Sequence, residues 1–417
     1  MNCPTPLIQM KIKPSIVSFF FFALLAGVPA QPARAGEPPV EFIDSNHRTG
    51  TSAAAVVSGD VALVQTTQIL PLDQAGHLVG KNNPGAQINA TIEYLSRALK
   101  NAKSSLDQTV KINIYIARPE LVSVVQNVLA RKFNGSTKPA VSFVQTAIPH
   151  PDAVVAMDAV AFAVADSPKV TRVHSVALAG KTMDAHTAVL PVGGVVYISG
   201  QAQPGGNLAE ATRKTLESLE ASLKFLGLKK SDVVQLKAFT RPMSDIASVQ
   251  KEFAQFFAPE LTPPSSFVEW TSTNPPIEIE LIASAGTNIA NEAISYLTPP
   301  GMTVSPVYSK VTRLNRGKKI YFSSLCAKDS GNGEAQVTQI FNQLGELLKK
   351  TGSDIKHLVK ATYYVTNNDA SNKLNQLRPK FYDPKQPPAA SKAMVKGVGQ
   401  NERNLTVDLI GATIEKE

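Results

Sequence analysis

One pattern occurs three times along the 417-residue chain, and this repetition constrains the fold more than any other feature. Each copy reads as a strand, an amphipathic helix, a second strand, a second helix followed by proline, and further strands. Every first helix carries a stripe of large apolar residues at spacings of three and four. The stripes are Ile88, Ile92, Leu95 and Leu99; Leu216, Leu219, Leu223 and Leu226; and Val337, Phe341, Leu344 and Leu348. Equivalent positions recur at roughly 125 residues, a length suited to a compact domain.

The repeated order predicts an α+β protein made of three tandem domains, each a mixed sheet with two helices on one face. We place the repeats at residues 50–165, 180–287 and 300–417, the first being the most divergent. Residues 1–35 read as a signal peptide, because two lysines precede an apolar run and an Ala-Arg-Ala site. A membrane anchor is the alternative, but the run is about half of the ~20 residues that a spanning helix needs. The sequence therefore predicts an exported product, periplasmic or secreted, without a stable membrane anchor.

Composition excludes several classes of function. The formal net charge is +9, without a dense basic stripe or interleaved aromatic residues, so nucleic-acid binding is not indicated. Cys3 lies in the predicted signal peptide and Cys326 would remain alone, so the exported chain has no internal disulfide. The motifs of P-loop NTPases, zinc hydrolases and nucleophile-elbow esterases are missing from the sequence. We predict no metal and no cofactor.

A strand near the end of the second repeat combines an apolar face with an acidic one. In the stretch "TPPSSFVEWTSTNPPIEIELIA", residues Ile277, Ile279 and Leu281 alternate with Glu278 and Glu280. This period of two is typical of a strand that is buried on one side. The acidic face then carries either a functional carboxylate or two solvated side chains.

Four segments of the second repeat suggest a family: "VVYISGQ", "LKFLGLKKSDVVQLKAFT", "VQKEFAQFF" and "IEIELIA". They resemble the Rid family, also called YjgF or reactive-intermediate imine deaminases, and the resemblance covers nearly all of the chain after the signal peptide. It implies a chorismate-mutase-like fold and a homotrimer with a central barrel and clefts between subunits. Three fused copies then imply a monomeric pseudo-trimer whose clefts have diverged and could bind a small metabolite.

The resemblance also implies where the chemistry of the family would lie. Its members hydrolyse 2-imino acids, with an arginine that binds the substrate carboxylate and an acid that positions water. The arginine positions correspond to Val141, Ser265 and Ala390, and none of them is arginine. The acid corresponds to Glu278 in the second repeat, and to Ala156 and Thr406 in the others. The family's 2-imino acid deaminase activity is therefore not expected.

Other pocket positions of the family are partly retained. They correspond to the hydroxyl residues Thr66, Ser199 and Ser323, the amide residues Asn127, Gln250 and Asn375, and the ring residues His186 and Tyr308. Lys392 follows Ala390 by two residues and so lies on the same strand face, where it would supply a cation in place of the arginine. Each of three residues also has a reading without function. His186 could be a loop histidine, Asn375 a surface asparagine, and Lys392 an edge-strand lysine that discourages aggregation.

Two functions remain open at this point. In the first, the chain is a binding protein without catalysis, with its best cleft between the second and third repeats. In the second, it is a hydrolase or deaminase for imine- or enamine-type substrates, in which Glu278 positions water while Ser199 and Gln250 orient the substrate. A ribonuclease, also described for the family, is less favoured because the chain lacks a general-base histidine pair. The structure can distinguish the binding protein from the hydrolase. The observation that decides is whether the cleft beside Glu278 is open and polar or is filled by Phe267 and Trp270.

Overall fold

The structure, a computed structural model, describes Met1 and residues 38–164, 166–286 and 290–413. Residues Pro38–Glu417 form one compact unit. The predicted signal peptide lies outside the described residues apart from Met1. No helix in the described part of the chain has the length and apolar character needed to cross a bilayer.

The three repeats fold with the same order of elements, and the third has one additional short strand, β16. The first contains β1 (Val40–Ile43), β2 (Ala54–Val57), β3 (Ala62–Thr66), α1 (Pro84–Asn101), β4 (Thr109–Ile116), α2 (Leu121–Lys132), β5 (Ala140–Gln145) and β6 (Val155–Ala163). The second contains β7 (Thr171–Val173), β8 (Thr187–Leu190), β9 (Gly194–Gln201), α3 (Leu208–Phe225), β10 (Val233–Thr240), α4 (Ile246–Phe257), β11 (Ser265–Glu269) and β12 (Ile277–Gly286). The third contains β13 (Ile294–Leu297), β14 (Val311–Leu314), β15 (Lys318–Phe322), β16 (Leu325–Cys326), α5 (Gly333–Lys350), β17 (Leu358–Val365), α6 (Asn368–Phe381), β18 (Ala389–Met394) and β19 (Leu405–Thr413).

An asparagine begins the long first helix of every repeat. The side chains of Asn83, Asn207 and Asn332 cap α1, α3 and α5 by accepting a hydrogen bond from a backbone N–H of the first turn. Such a cap satisfies an otherwise unpaired donor and stabilises a helix by about 1 kcal/mol. The predicted apolar stripes of these helices are buried against the sheets, as their spacing of three and four requires.

Three mixed sheets carry the helices. The first sheet has the strand order β5-β4-β6-β3-β8-β7, and the second has the order β11-β10-β12-β9-β14-β13. The third runs β1-β2-β15-β19-β17-β18, with β16 paired to β19. Strand pairs β4/β5, β10/β11 and β17/β18 are parallel, and they give each sheet its mixed character. This confirms the predicted fold class of three tandem α+β domains.

The opening hairpin of each repeat joins the sheet of the repeat before it. Strand β8 of the second repeat pairs with β3 of the first, and β14 of the third repeat pairs with β9 of the second. Strand β2 of the first repeat pairs with β15 of the third. The exchange therefore forms a closed cycle, in which every sheet takes strands from two repeats.

A shared apolar cluster lies where the three sheets meet, in addition to the separate core of each repeat. It includes Leu63 and Val110 of the first sheet, Tyr197 and Val234 of the second, and Tyr321 and Val359 of the third. Because all three sheets bury side chains in this shared cluster, the hydrophobic effect holds the repeats together.

Three buried carboxylates beside the shared cluster connect each repeat to the next. They occupy equivalent positions on the last strand of each repeat and are Asp158, Glu280 and Asp408. Asp408 Oδ1 accepts a hydrogen bond from Lys111 Nζ at 2.6 Å. Glu280 Oε1 accepts one from Lys360 Nζ at 2.7 Å. Asp158 Oδ2 accepts one from Ser266 Oγ at 2.6 Å. These hydrogen bonds join the first repeat to the second, the second to the third and the third to the first, as the exchanged strands also do.

Candidate functional site

A hydroxyl of one repeat bonds to the start of a strand in the next repeat at each of three boundaries. Ser199 Oγ accepts a hydrogen bond from the backbone N–H of Ala390 at 2.7 Å. Ser323 Oγ accepts one from Val141 at 2.7 Å, and Thr67 Oγ1 accepts one from Ser265 at 3.3 Å. The donors are the three positions where an arginine was expected from the family resemblance. We call these places the 2/3 cleft, the 3/1 cleft and the 1/2 cleft, after the repeats that meet there.

Thr67 occupies the hydroxyl position of the first repeat, and the assignment to Thr66 was wrong by one residue. The side chain of Thr66 points to the opposite side of β3, where its hydroxyl accepts a hydrogen bond from the Ala159 backbone N–H at 2.9 Å. Successive side chains of a strand face opposite sides, so a shift of one residue exchanges the faces. Because two threonines are adjacent here, the sequence alone allowed either Thr66 or Thr67 to be the equivalent of Ser199 and Ser323.

Glu278 lies in the 2/3 cleft on the acidic face that the alternating strand predicted. Gly200 makes room for its carboxyl, because a Cβ atom at Gly200 would overlap Glu278 Oε1. Ser391 Oγ accepts a hydrogen bond from the Gly200 N–H at 3.1 Å and also bonds to the Glu278 carboxyl. Burial, together with the nearby charge of Glu280, raises the pKa of Glu278 to about 8, against the opposing effects of Ser391 and Lys392. Glu278 therefore carries a proton over much of the neutral range.

Lys392 lies close enough to Glu278 to influence its charge, and Arg378 shares a hydrogen-bond partner with Lys392. Lys392 Nζ donates to Ser371 Oγ at 2.9 Å and to Asn375 Oδ1 at 3.1 Å. Arg378 Nη2 donates to the same Asn375 oxygen at 2.9 Å. Burial and then the charge of Arg378 lower the pKa of Lys392, while Glu278 opposes this effect.

Neither cation has a carboxylate within ion-pair distance among the described residues. Arg378 is only 6% exposed, and its Nε has no hydrogen-bond partner in the described part of the chain. Its guanidinium carbon lies 4.9 Å from the centre of the Tyr363 ring. Sequence reasoning missed Arg378, and the only available signal was its position three residues after Asn375 on the same helix face. Within the described residues, the 2/3 cleft therefore holds two cations that form no ion pair.

The other two clefts place phenylalanine where the 2/3 cleft has Lys392. Phe267 follows Ser265 by two residues, and Phe143 follows Val141 by two. Gln68 holds the Phe267 backbone from both sides, donating to its oxygen at 3.1 Å and accepting from its N–H at 3.2 Å. Phe267 thus belongs to the 1/2 cleft and does not fill the space beside Glu278. Trp270 packs against Phe239 in a separate cluster.

Several predicted site residues lie away from Glu278. Gln250 lines a cavity of about 50 Å³ in the 1/2 cleft with Thr67 and Ser265, so it is not grouped with Ser199. His186 accepts a hydrogen bond from the Ser175 N–H at 2.9 Å and pairs with the Ala179 oxygen at 3.0 Å. Burial lowers the pKa of His186, and the Ala179 contact opposes that shift. Both of its ring nitrogens are occupied, which leaves none for a ligand.

The remaining predicted positions have local roles in the structure. The Tyr308 hydroxyl accepts a hydrogen bond from Lys310 Nζ at 2.5 Å. Asn127 is exposed on α2, and Thr406 Oγ1 donates to the Leu325 oxygen at 3.2 Å. No group of three or more histidine, cysteine, aspartate or glutamate side chains in the described ranges could hold a metal ion. Of the predicted residues, Ser199, Glu278, Asn375 and Lys392 meet at the 2/3 cleft.

Comparison with known proteins finds one family model repeated three times. The model, described as endoribonuclease L-PSP, matches residues 46–163, 178–285 and 302–410. No curated protein shows a significant match to the chain.

Several solved structures that resemble the chain are each about as long as one repeat. The Rid-family protein YyfB from Yersinia pestis is 20% identical, with 30% of this chain and 99% of that chain covered and a TM-score of 0.28. NMB1025 from Neisseria meningitidis, a YjgF-family member, is 16% identical, with 30% and 97% covered and a TM-score of 0.23. TdcF from E. coli with bound serine is 19% identical, with 29% and 98% covered and a TM-score of 0.22. With its family model matched by all three repeats, the chain belongs to the Rid, or YjgF, family.

Proposed function

We propose that the 2/3 cleft binds a small anionic molecule and that the chain lacks the family's 2-imino acid deaminase activity. The observation that carries this proposal is the pair of cations Lys392 and Arg378, which have no carboxylate partner among the described residues. Lys392 lies near Glu278, whose raised pKa keeps its carboxyl largely neutral and able to donate a hydrogen bond. The 1/2 and 3/1 clefts have phenylalanine at the position of Lys392 and so have no cation there for an anion. We therefore propose one binding site per chain.

Replacing Lys392 with alanine is expected to weaken the binding of small anions by about tenfold, the effect of losing one charge-assisted hydrogen bond of ~1.4 kcal/mol. Calorimetric titration with pyruvate and with inorganic phosphate measures this change. Lys349→Ala is the matched control, because Lys349 is an exposed lysine at the end of α5. Equal affinities of the wild-type chain and Lys392→Ala for both probes would contradict the proposed site.

A second function is favoured by one observation, the pKa of Glu278. A carboxyl with a pKa of about 8 changes its protonation state near neutral pH, as a general base or acid must. The chain would then hydrolyse an imine- or enamine-type substrate, with the ionised Glu278 positioning the water. Ser199 would hold the strand start at Ala390 rather than contact the substrate, because its hydroxyl already bonds to Ala390 and to the Ser309 oxygen at 2.6 Å.

If this hydrolysis occurs, its rate should rise with pH through about 8, because the base works in its ionised form. Glu278→Gln should reduce the rate by about 100-fold or more and remove this pH dependence. Glu217→Gln, at an exposed position on α3, is the control. Rates measured with imines generated by an amino-acid oxidase test this, and an unchanged pH profile in Glu278→Gln would eliminate the hydrolase reading.

The exported location and the monomeric state belong to the same proposal. The closed cycle of exchanged strands and the shared cluster support a chain that completes the pseudo-trimer by itself. Light scattering of the purified protein should give the mass of one chain, and three times that mass would contradict the proposal. An N-terminal sequence of the exported product that begins near residue 36 would establish the signal peptide.

A further inference from the structure

Lys319 is a buried lysine that takes no part in the proposed binding site. It is the second residue of β15 and pairs across the sheet with Val57 of β2 and with Ala412 of β19. Both of these residues are buried members of the shared cluster, as is Tyr321, the next residue on the same face of β15. The side chain of Lys319 is only 4% exposed. An amine therefore stands within an apolar cluster.

The other two repeats place aliphatic residues at this position. The strand register makes Leu63 and Val195 equivalent to Lys319, because each of the three pairs with the last residue of a strand from another repeat. Leu63 and Val195 are each 1% exposed and belong to the shared cluster. The buried amine is thus a departure of the third repeat from an apolar pattern.

No group in the described part of the chain pairs with this amine. Lys319 has neither a hydrogen bond nor an ion pair there, and the facing Val57 and Ala412 cannot ionise. Burial raises the pKa of Tyr321, so this neighbour carries no charge. Burial alone lowers the pKa of Lys319 to about 8. About a tenth of the amine is therefore neutral at pH 7, against less than a thousandth for an ordinary lysine of pKa ~10.4.

The amine is enclosed but not sealed. The small exposed fraction of Lys319 includes Nζ, because Nζ has no partner and yet is not one of the fully enclosed polar atoms of the described residues. Phe162 pairs with the equivalent Leu63 and is only half-buried, so this layer of the cluster lies close to solvent. Space therefore adjoins the amine, and it suits a molecule of a few atoms.

We infer that Lys319 is a nucleophilic amine that forms an imine with an uncharged aldehyde of one or two carbon atoms. A lysine desolvated by apolar neighbours is activated as a nucleophile. Nζ attacks the carbonyl carbon, a C=N bond forms, and the carbonyl oxygen leaves as water with the two protons of the neutral amine. The imine is uncharged, so its formation also removes the cost of an unpaired buried ammonium group. This chemistry uses no residue of the 2/3 cleft and is independent of the function proposed for it.

Reductive trapping of the imine tests this inference. The folded chain is incubated with acetaldehyde and sodium cyanoborohydride, which reduces the imine to a stable amine, and labelled lysines are located by mass spectrometry. At pH 7 we expect Lys319 to react about tenfold or more faster than Lys349, an exposed lysine, because far more of it is neutral. The ratio of the two rates should fall between pH 7 and pH 10, as Lys349 also becomes neutral. A smaller difference at pH 7, or no label at Lys319, would overturn the inference.

Lys319→Leu is the matched variant, because leucine already occupies the equivalent position at Leu63. This variant should lose the fast-reacting site, whereas Lys349→Leu should keep it. A fast-reacting site that persists in Lys319→Leu would contradict the inference, since another lysine would then be responsible. If Lys319→Leu does not fold, the position of the label in the wild-type chain decides.

Discussion

Replacing Asp408 with asparagine is expected to lower the free energy of unfolding by about 3–5 kcal/mol, because the change leaves the buried charge of Lys111 without its partner. The side chains of Lys111 and Asp408 are only 4% and 12% exposed, so water cannot take the place of the lost carboxylate. Their bond also joins the first repeat to the third, where the cycle of repeats closes. Urea unfolding of the two proteins measures the difference.

Two further variants separate this effect from a general loss of packing. Adding Lys111→Met to Asp408→Asn removes the unpaired charge and should recover most of the lost stability. Asp166→Asn removes a carboxylate from an exposed ion pair with Lys103, and it should change stability little. A double variant as unstable as Asp408→Asn alone would show that the charge of Lys111 is not the cause.

The pH dependence of the same pair has a defined sign. Burial alone would raise the pKa of Asp408, but the charges of Lys111, Lys237 and Lys360 outweigh it, and the pKa lies below its ordinary value of 3.8. The stabilising effect of the carboxylate is therefore present above pH 3.8 and is lost as the pH falls through the lower pKa of the folded state. The stability difference between the wild-type chain and Asp408→Asn should shrink in that acidic range.

Removing residues 38–57 is expected to destabilise the chain by roughly 5 kcal/mol and to cause self-association. The hairpin β1–β2 completes the third sheet, and its residues Val40, Val56 and Val57 are buried. Full burial of one such side chain contributes about 1.5–3 kcal/mol. Without the hairpin, β15 becomes an exposed strand edge, and an unpaired edge is a template for pairing with another chain.

Light scattering and urea unfolding measure both consequences of the truncation. The control begins at Pro38 and keeps the hairpin, so it should remain a monomer of unchanged stability. Adding a synthetic peptide of residues 38–57 should restore the monomer if the loss of strand pairing is the cause. A truncated chain that stays monomeric and unfolds at the same urea concentration would refute the closed cycle of strands.

The sequence by itself determined the elements of the fold. Helix stripes at spacings of three and four and repeated turns predicted three α+β repeats, and the structure confirms them. The alternation of Ile277, Glu278, Ile279 and Glu280 correctly predicted one apolar and one acidic face. The family resemblance also predicts that an arginine is missing at three equivalent positions, and this stays a prediction. These features depend on residues close in sequence, so local patterns were sufficient to predict them.

Only the tertiary structure decided which repeats share a sheet and which side chains share a cleft. A strand pattern with a period of two defines the buried face but does not identify the neighbouring strand, so the exchange of hairpins could not be predicted. A shift of one residue exchanges the two faces, which is why Thr66 was chosen in place of Thr67. Gln250 likewise obtained its neighbours in the 1/2 cleft from the packing of its helix against another repeat. The central lysines and carboxylates are far apart in sequence, and they meet because the closed cycle of three sheets brings their strands to one axis.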